Sequence, residues 1–153
     1  MGLQLSINIE GEQQLSRVLL GMESSMQDYT YPFTESAQLL KNTFAVDVFN
    51  TQGGAIDESW AALSPATIAA KARKYGQTAP LIATGNMRAS FVTEVTPMQA
   101  TVSNSADYFR YHQSNQPRRS NLPRRVMMKL TDPLKEAIVK FFQTHVQASM
   151  QTP

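Results

Sequence analysis

The chain has no cysteine. That absence excludes disulfides, thiolate metal sites and cysteine nucleophiles together, and it suits assembly in a cytosolic compartment. Histidine occurs only at His112 and His145, too far apart for a paired-histidine metal spacing, and no thiolate is there to complete a zinc site. No apolar run is long enough to cross a bilayer, so no membrane partner is expected. The opening Met-Gly-Leu-Gln-Leu has neither the basic region nor the long apolar stretch of a secretory signal. The glycine pair Gly53-Gly54 lacks the later Gly-Lys-Ser/Thr of a phosphate loop, and no strand clearly precedes it. Tryptophan occurs once, at Trp60, where so large an apolar ring reads as a core anchor before it reads as a ligand platform.

What is present fits one domain. A chain of 153 residues can bury a real core, and neither an internal repeat nor a second domain interrupts it. Residues 1–146 are expected to form the domain and residues 147–153 a disordered tail. The net charge of +2 conceals a polarity. Residues 1–60 carry eight acidic against two basic side chains, a net −6, and residues 61–153 carry four acidic against twelve basic, a net +8. Such polarity permits head-to-tail self-association or nucleic-acid binding, and it is equally compatible with two solvated surfaces.

Leu3, Leu5, Ile7 and Ile9 alternate with polar residues, the period of a half-buried strand. Leu15, Val18, Leu19, Met22 and Met26 then fall on one helical face. A second helix starting at Pro32 carries the stripe Phe33, Ala37, Leu40, Phe44 and Val48. Residues 50–59 form a polar loop, and Trp60 beyond it is expected to bury against the helix bearing Leu40 and Phe44. Ser64-Pro65 opens a short helix, with serine to cap the free amides and proline suited to the first turn; Gly76 stops it. The cluster Lys71-Ala72-Arg73-Lys74 near its end complements the helix dipole.

Thr84-Gly85-Asn86 reads as a turn with capping potential, its glycine in a conformation other residues adopt poorly. Phe91, Thr93 and Val95 alternate into a strand, and a second strand over Ala100–Ser103 follows the Pro97-Met98 turn, so a β-hairpin is expected. Tyr108, Tyr111 and His112 sit at roughly helical spacing. Residues 114–123 read as an exposed loop. Asp132-Pro133 starts a last helix with the stripe Leu134, Ile138, Phe141 and Phe142, expected to fray near Gln147. The fold class is α+β: a small curved antiparallel sheet packed with several amphipathic helices, long ones at both ends.

Catalytic constellations are weak. His112 would need a nucleophile and an orienting carboxylate; Ser105 and Asp107 are near only in sequence, and such neighbours on a turn rarely converge in triad geometry. Asp57-Glu58 are adjacent acids that diverge on most backbones, without a second acidic cluster to complete a metal cage. No cofactor is expected. The strongest electrostatic feature is the basic segment 110–129, with Arg118-Arg119 and Arg124-Arg125 between Arg110 and Lys129. Such a loop can track phosphates, with Tyr108, Phe109 and Tyr111 available to stack bases, yet it matches no nucleic-acid module. Arginine forks also pair with carboxylates across protein interfaces. Set against the acidic first half, subunit pairing is the preferred reading, with Asp57 and Glu58 of another copy as acceptors.

The ordered pieces Trp60-x-x-Leu63-Ser64-x-x-Thr67, Lys71, Leu81-Ile82-x-Thr84-Gly85-x-Met87-x-x-Ser90, Tyr108 with His112-Gln113, and Pro123-Arg124-Arg125 resemble the phage virion-morphogenesis family. This is the tail-completion or tail-terminator group of Mu-like prophages and other tailed phages. The resemblance covers about residues 35–145. Two departures bear on local loop shape: the glycine usual after the histidine is absent from His112-Gln113-Ser114-Asn115, and Val126-Met127 follows the arginines where an aromatic is usual. The resemblance implies a non-enzymatic structural protein of the virion, in its tail or neck, made in the host cytoplasm. Such a protein completes the tail tube and joins it to the neck as a homo-oligomeric, hexameric ring around the DNA channel. The implied partners are the tail tube protein, neck or head-completion proteins, and DNA in the channel.

Overall fold

The computed structural model describes residues 4–8 (backbone only), 28–114 and 122–150. The helix expected on Leu15 to Met26, and with it Arg118 and Arg119 of the basic segment, lies outside the described residues.

Strand β1 spans Gln4–Asn8. Helix α1 spans Thr30–Asn42, runs on through a π-helical turn at Thr43–Asp47 and ends in a last α turn at Val48–Asn50. It begins two residues before the expected Pro32, because an Asp28 carboxylate oxygen accepts from the Thr30 N–H at 2.8 Å and satisfies an otherwise free amide of the first turn. All five residues of the expected stripe, Phe33, Ala37, Leu40, Phe44 and Val48, are buried. The wider π turn sets Phe49 inward beside Val48, a change of face that the 3.6-residue period did not forecast.

After a 3₁₀ turn at Gly54–Ile56 come helix α2, Pro65–Tyr75, and the short helix α3, Asn86–Ala89. The expected hairpin follows as β2, Phe91–Thr96, and β3, Gln99–Asn104, joined at Pro97-Met98. Helix α4 spans Phe109–Gln113. Helix α5 spans Asp132–Met150 and so continues past Gln147, where fraying was expected.

The sheet has the order β1-β3-β2, antiparallel throughout. Leu5 stands opposite Val102, and Val102 opposite Thr93. One face of the hairpin, Phe91, Ala100, Val102 and Asn104, is buried, while Val92, Glu94 and Thr96 on the alternate positions of β2 are exposed. α1 lies between this sheet and α5. The α1–α5 seam is aromatic: Phe33 meets Phe142 edge-on at 4.9 Å between centroids, and Tyr29 lies 6.0 Å from Phe142. The result is the α+β architecture expected, one layer of strands under packed helices.

Candidate functional site

The segments that stood out in the sequence converge on two sets of internal ties. The first begins where α1 ends. Its last turn reverses through Gln52 and Gly53, both at positive φ (51° and 89°). The Gly53 N–H donates to the Val48 carbonyl at 2.8 Å, and the Gly53 carbonyl accepts from the Glu58 N–H at 3.0 Å. A Cβ on Gly53 would stand 1.9 Å from the Glu58 carbonyl oxygen and 2.7 Å from Cδ1 of Trp60. Only glycine fits there, on dihedral grounds and on space. The pair dismissed as a phosphate loop is therefore the pivot that delivers Trp60 to the core.

Trp60 is buried, as expected, and it packs on the continuous helix that bears Leu40 and Phe44. Its ring contact is at the far end, edge-on to Phe49 at 5.4 Å. Its indole Nε1–H donates to the Val126 carbonyl at 2.7 Å. One residue on, the Ala61 carbonyl accepts from Nε and Nη2 of Arg125 at 3.1 and 2.8 Å. The Arg125 N–H in turn donates to the His112 carbonyl at 2.9 Å. Gln113 completes the clamp. Its Nε2 donates to the Met128 carbonyl at 2.7 Å, and its Oε1 accepts from the N–H groups of Met127 at 2.7 Å and Met128 at 3.0 Å. A buried chain with no strand partner needs its backbone groups satisfied, and here one side-chain amide does this for residues 127–128.

Arg125 and Glu58, two of the expected interface residues, have partners within the chain. Arg125 is 4 % exposed and its guanidinium holds a carbonyl of its own chain, so it is no free surface cation. Burial pushes its pKa down from the ordinary arginine value. Glu58 is paired within the chain, to Lys129 Nζ at 2.9 Å. Of the other expected interface residues, Arg124 and Asp57 are exposed. Arg124 also donates through Nε to the Gln113 carbonyl at 3.1 Å.

The second set ties α3 to the end of β3. Gly85 has φ +78°, the left-handed conformation expected of it, and its carbonyl accepts from the Ala89 N–H at 3.0 Å. Thr84 Oγ1 accepts from the Asn86 N–H at 3.4 Å, a long contact for a cap. The Ser90 hydroxyl donates to the Asn86 carbonyl at 2.6 Å, and Asn86 Nδ2 donates to the Tyr108 hydroxyl at 3.0 Å. The buried Asn104 side chain donates to the Met87 carbonyl at 2.7 Å and accepts from the Ala106 N–H at 3.0 Å. Phe91 meets Phe109 edge-on at 5.8 Å. Thr84, Gly85, Ser90 and Tyr108 thus hold a corner of the fold.

Between the two sets stands α2, which is different in kind. Ser64 caps it, its hydroxyl accepting from the Thr67 N–H at 3.2 Å and contacting Thr67 Oγ1 at 2.8 Å. Gly76 ends it at φ +63°, its N–H donating to the Ala72 carbonyl. Yet none of its eleven residues is buried. Leu63 before it is half-buried, and Lys71 ties it down by donating to the Ala79 carbonyl at 2.6 Å. Desolvation, and then the nearby Arg125 charge, lower the pKa of Lys71 below the usual lysine value. Pro123 is exposed and precedes the clamp arginines.

Among the described residues no group of three His, Asp or Glu side chains could hold a metal ion, and no helix is long and apolar enough to cross a membrane. His112 enters the clamp through its carbonyl, and the Ser105 hydroxyl donates to the Ser90 carbonyl at 3.3 Å. The residue missed in the sequence is Gly53, whose signal was the glycine pair before the lone tryptophan; Gln113 was noted as part of the His112-Gln113 motif, but its residue type did not announce the clamp.

The motif positions thus serve as ties within the body, beside a capped helix none of whose residues is buried. A model described as the phage virion morphogenesis family matches residues 11–147, and the chain belongs to that family. Its role is structural, in the assembly of a phage virion. Neither a curated protein nor a solved structure matches the chain significantly.

Proposed function

We infer that the protein is a tail-completion subunit: it ends the tail tube and forms its junction with the neck as a homo-oligomeric ring. The observation that carries this reading is the family match over residues 11–147 on a body whose motif residues build shape, with exposed cations left on its surface. Its partners are then further copies of itself, the tube protein and the neck. In cells assembling the phage, deletion of the gene should leave heads and tails unjoined or tails of wrong length, and labelled protein should sit at the head-proximal tail end. Normal, joined particles made without it reject the reading.

Nucleic-acid binding by residues 110–129 is the second reading. It is favoured by Arg110, stacked 4.9 Å over the exposed Tyr111 ring, an arrangement that can stack bases. Against it, Arg125 and Lys129 are engaged within the chain. Duplex binding that weakens steeply with salt, and is lost on replacing Arg110 and Arg124, would promote it.

A further inference from the structure

We propose that α2 is the arm by which one copy of this chain docks on the next, its seat being the surface of Val46, Asp47 and Asp57 at the end of α1. The proposal rests on the oligomer reading above and assigns its contact surface. Three observations carry it.

The helix is encoded to form, with an alanine-rich body, a serine cap, proline in the first turn and a C-terminal glycine. An isolated helix of this length is marginal in water and draws its stability from packing one face. Here that face is left open in part among the described residues. Ile68, Ala72 and Tyr75 recur at helical spacing, and Ile68 and Tyr75 are 39 % and 40 % exposed.

The helix is also cationic, with Lys71, Arg73 and Lys74 and no acid. Arg73 and Lys74 have no carboxylate partner among the described residues, where the two ion pairs are Glu58–Lys129 and Asp132–Lys135. Lys74 lies instead 5.0 Å over the Tyr75 ring, which keeps a cation and an aromatic together at the surface.

The seat has the complementary make-up. Val46 is 39 % exposed, and Asp47 and Asp57 are exposed without an ion-pair partner among the described residues. Asp47 and Asp57 share one end of the molecule, because the 51–58 turn folds back on the last turn of α1 through the Gly53–Val48 and Thr51–Asp47 backbone bonds. The seat belongs to the acidic half of the chain and the arm to the basic half. Arm and seat are different patches, so their pairing is heterologous, and repeated it closes a ring or continues as a filament.

The absence of cysteine makes the test clean. Chains carrying both Ala72→Cys and Val46→Cys, oxidised as purified full-length protein and inside cells assembling tails, should give a ladder of covalent oligomers. Mixing the two single variants should give a mixed dimer that neither gives alone. Adding Arg73→Glu and Lys74→Glu should cut the yield about tenfold, and adding Asp47→Lys and Asp57→Lys to that chain should restore it. Unchanged circular dichroism and melting of each variant exclude unfolding. Oligomers that form, on tails or in solution, without this cross-link and without response to the reversal overturn the arm and leave the ring reading standing. A chain that is monomeric in both settings overturns both. A ladder that survives the reversal while DNA binding is lost also overturns the arm, and turns α2 toward nucleic acid.

Discussion

The clamp around Trp60 and the helix that follows it are neighbours in sequence and opposites in physics. The clamp has almost no regular secondary structure, yet Trp60, Gln113, Arg125, Met127 and Met128 are all buried and tied by side-chain hydrogen bonds. α2 has a helix's regular bonds and both caps, yet none of its residues is buried. Local propensity and tertiary burial are separate sources of order. The clamp has order because the body holds it, and α2 has the propensity while none of its residues is buried. In a protein whose role is assembly, the first fixes the shape of the body, and the second is the surface proposed above for docking another copy.

The comparison is broken most severely at Gly53. Alanine there meets the Glu58 carbonyl at 1.9 Å on a backbone with φ +89°, so strain and overpacking combine. Gly53→Ala should cost about 3–5 kcal/mol, read as a lowered denaturant midpoint, and release the tryptophan to water-like fluorescence. Near-native stability would show that the turn is not the pivot described. Trp60→Ala should cost about 3–5 kcal/mol, while Trp60→Phe, which keeps an aromatic but leaves the Val126 carbonyl unpaired, should cost about 1–3 kcal/mol.

Gln113→Leu keeps the volume and removes three hydrogen bonds to residues 127–128. About 2–4 kcal/mol should be lost, with faster amide exchange at Met127 and Met128 as the specific sign. Gly85→Ala sharpens the contrast with Gly53. Its φ is also positive, but a Cβ there meets nothing within 4 Å, so the cost should be only about 1 kcal/mol in a thermal melt. Smallest of all should be Arg73→Glu with Lys74→Glu, within about 0.5 kcal/mol for the isolated chain, however large its effect on assembly.

Much of this was legible in the residues. The α1 stripe, the hairpin turn at Pro97-Met98, the Ser64 cap and the Gly85 turn each rest on a local rule, periodicity or dihedral preference, that one segment states by itself. The π turn that moves Phe49 inward was not legible, because it is set by what the helix packs on. Nor were the partners of Arg125. Whether an arginine faces solvent, a carboxylate or a carbonyl sixty-four residues away is decided by the fold and not by its neighbours in sequence. Charge composition alone placed Arg125 and Glu58 at an interface and could not show the partners that each has within the chain. Trp60 falls between: its burial was legible from residue type, and its contact with Phe49 and Val126 was not.

Hydrogen exchange followed by mass spectrometry, on the isolated chain and on assembled tails, tests the central claim most directly. Amides of residues 69–75 should exchange rapidly in the free chain and slow by about a hundredfold or more in tails, where a second surface covers the helix. Amides of Met127 and Met128 should be slow in both. Protection of residues 69–75 in the free chain, or its absence in tails that contain the protein, would contradict the account.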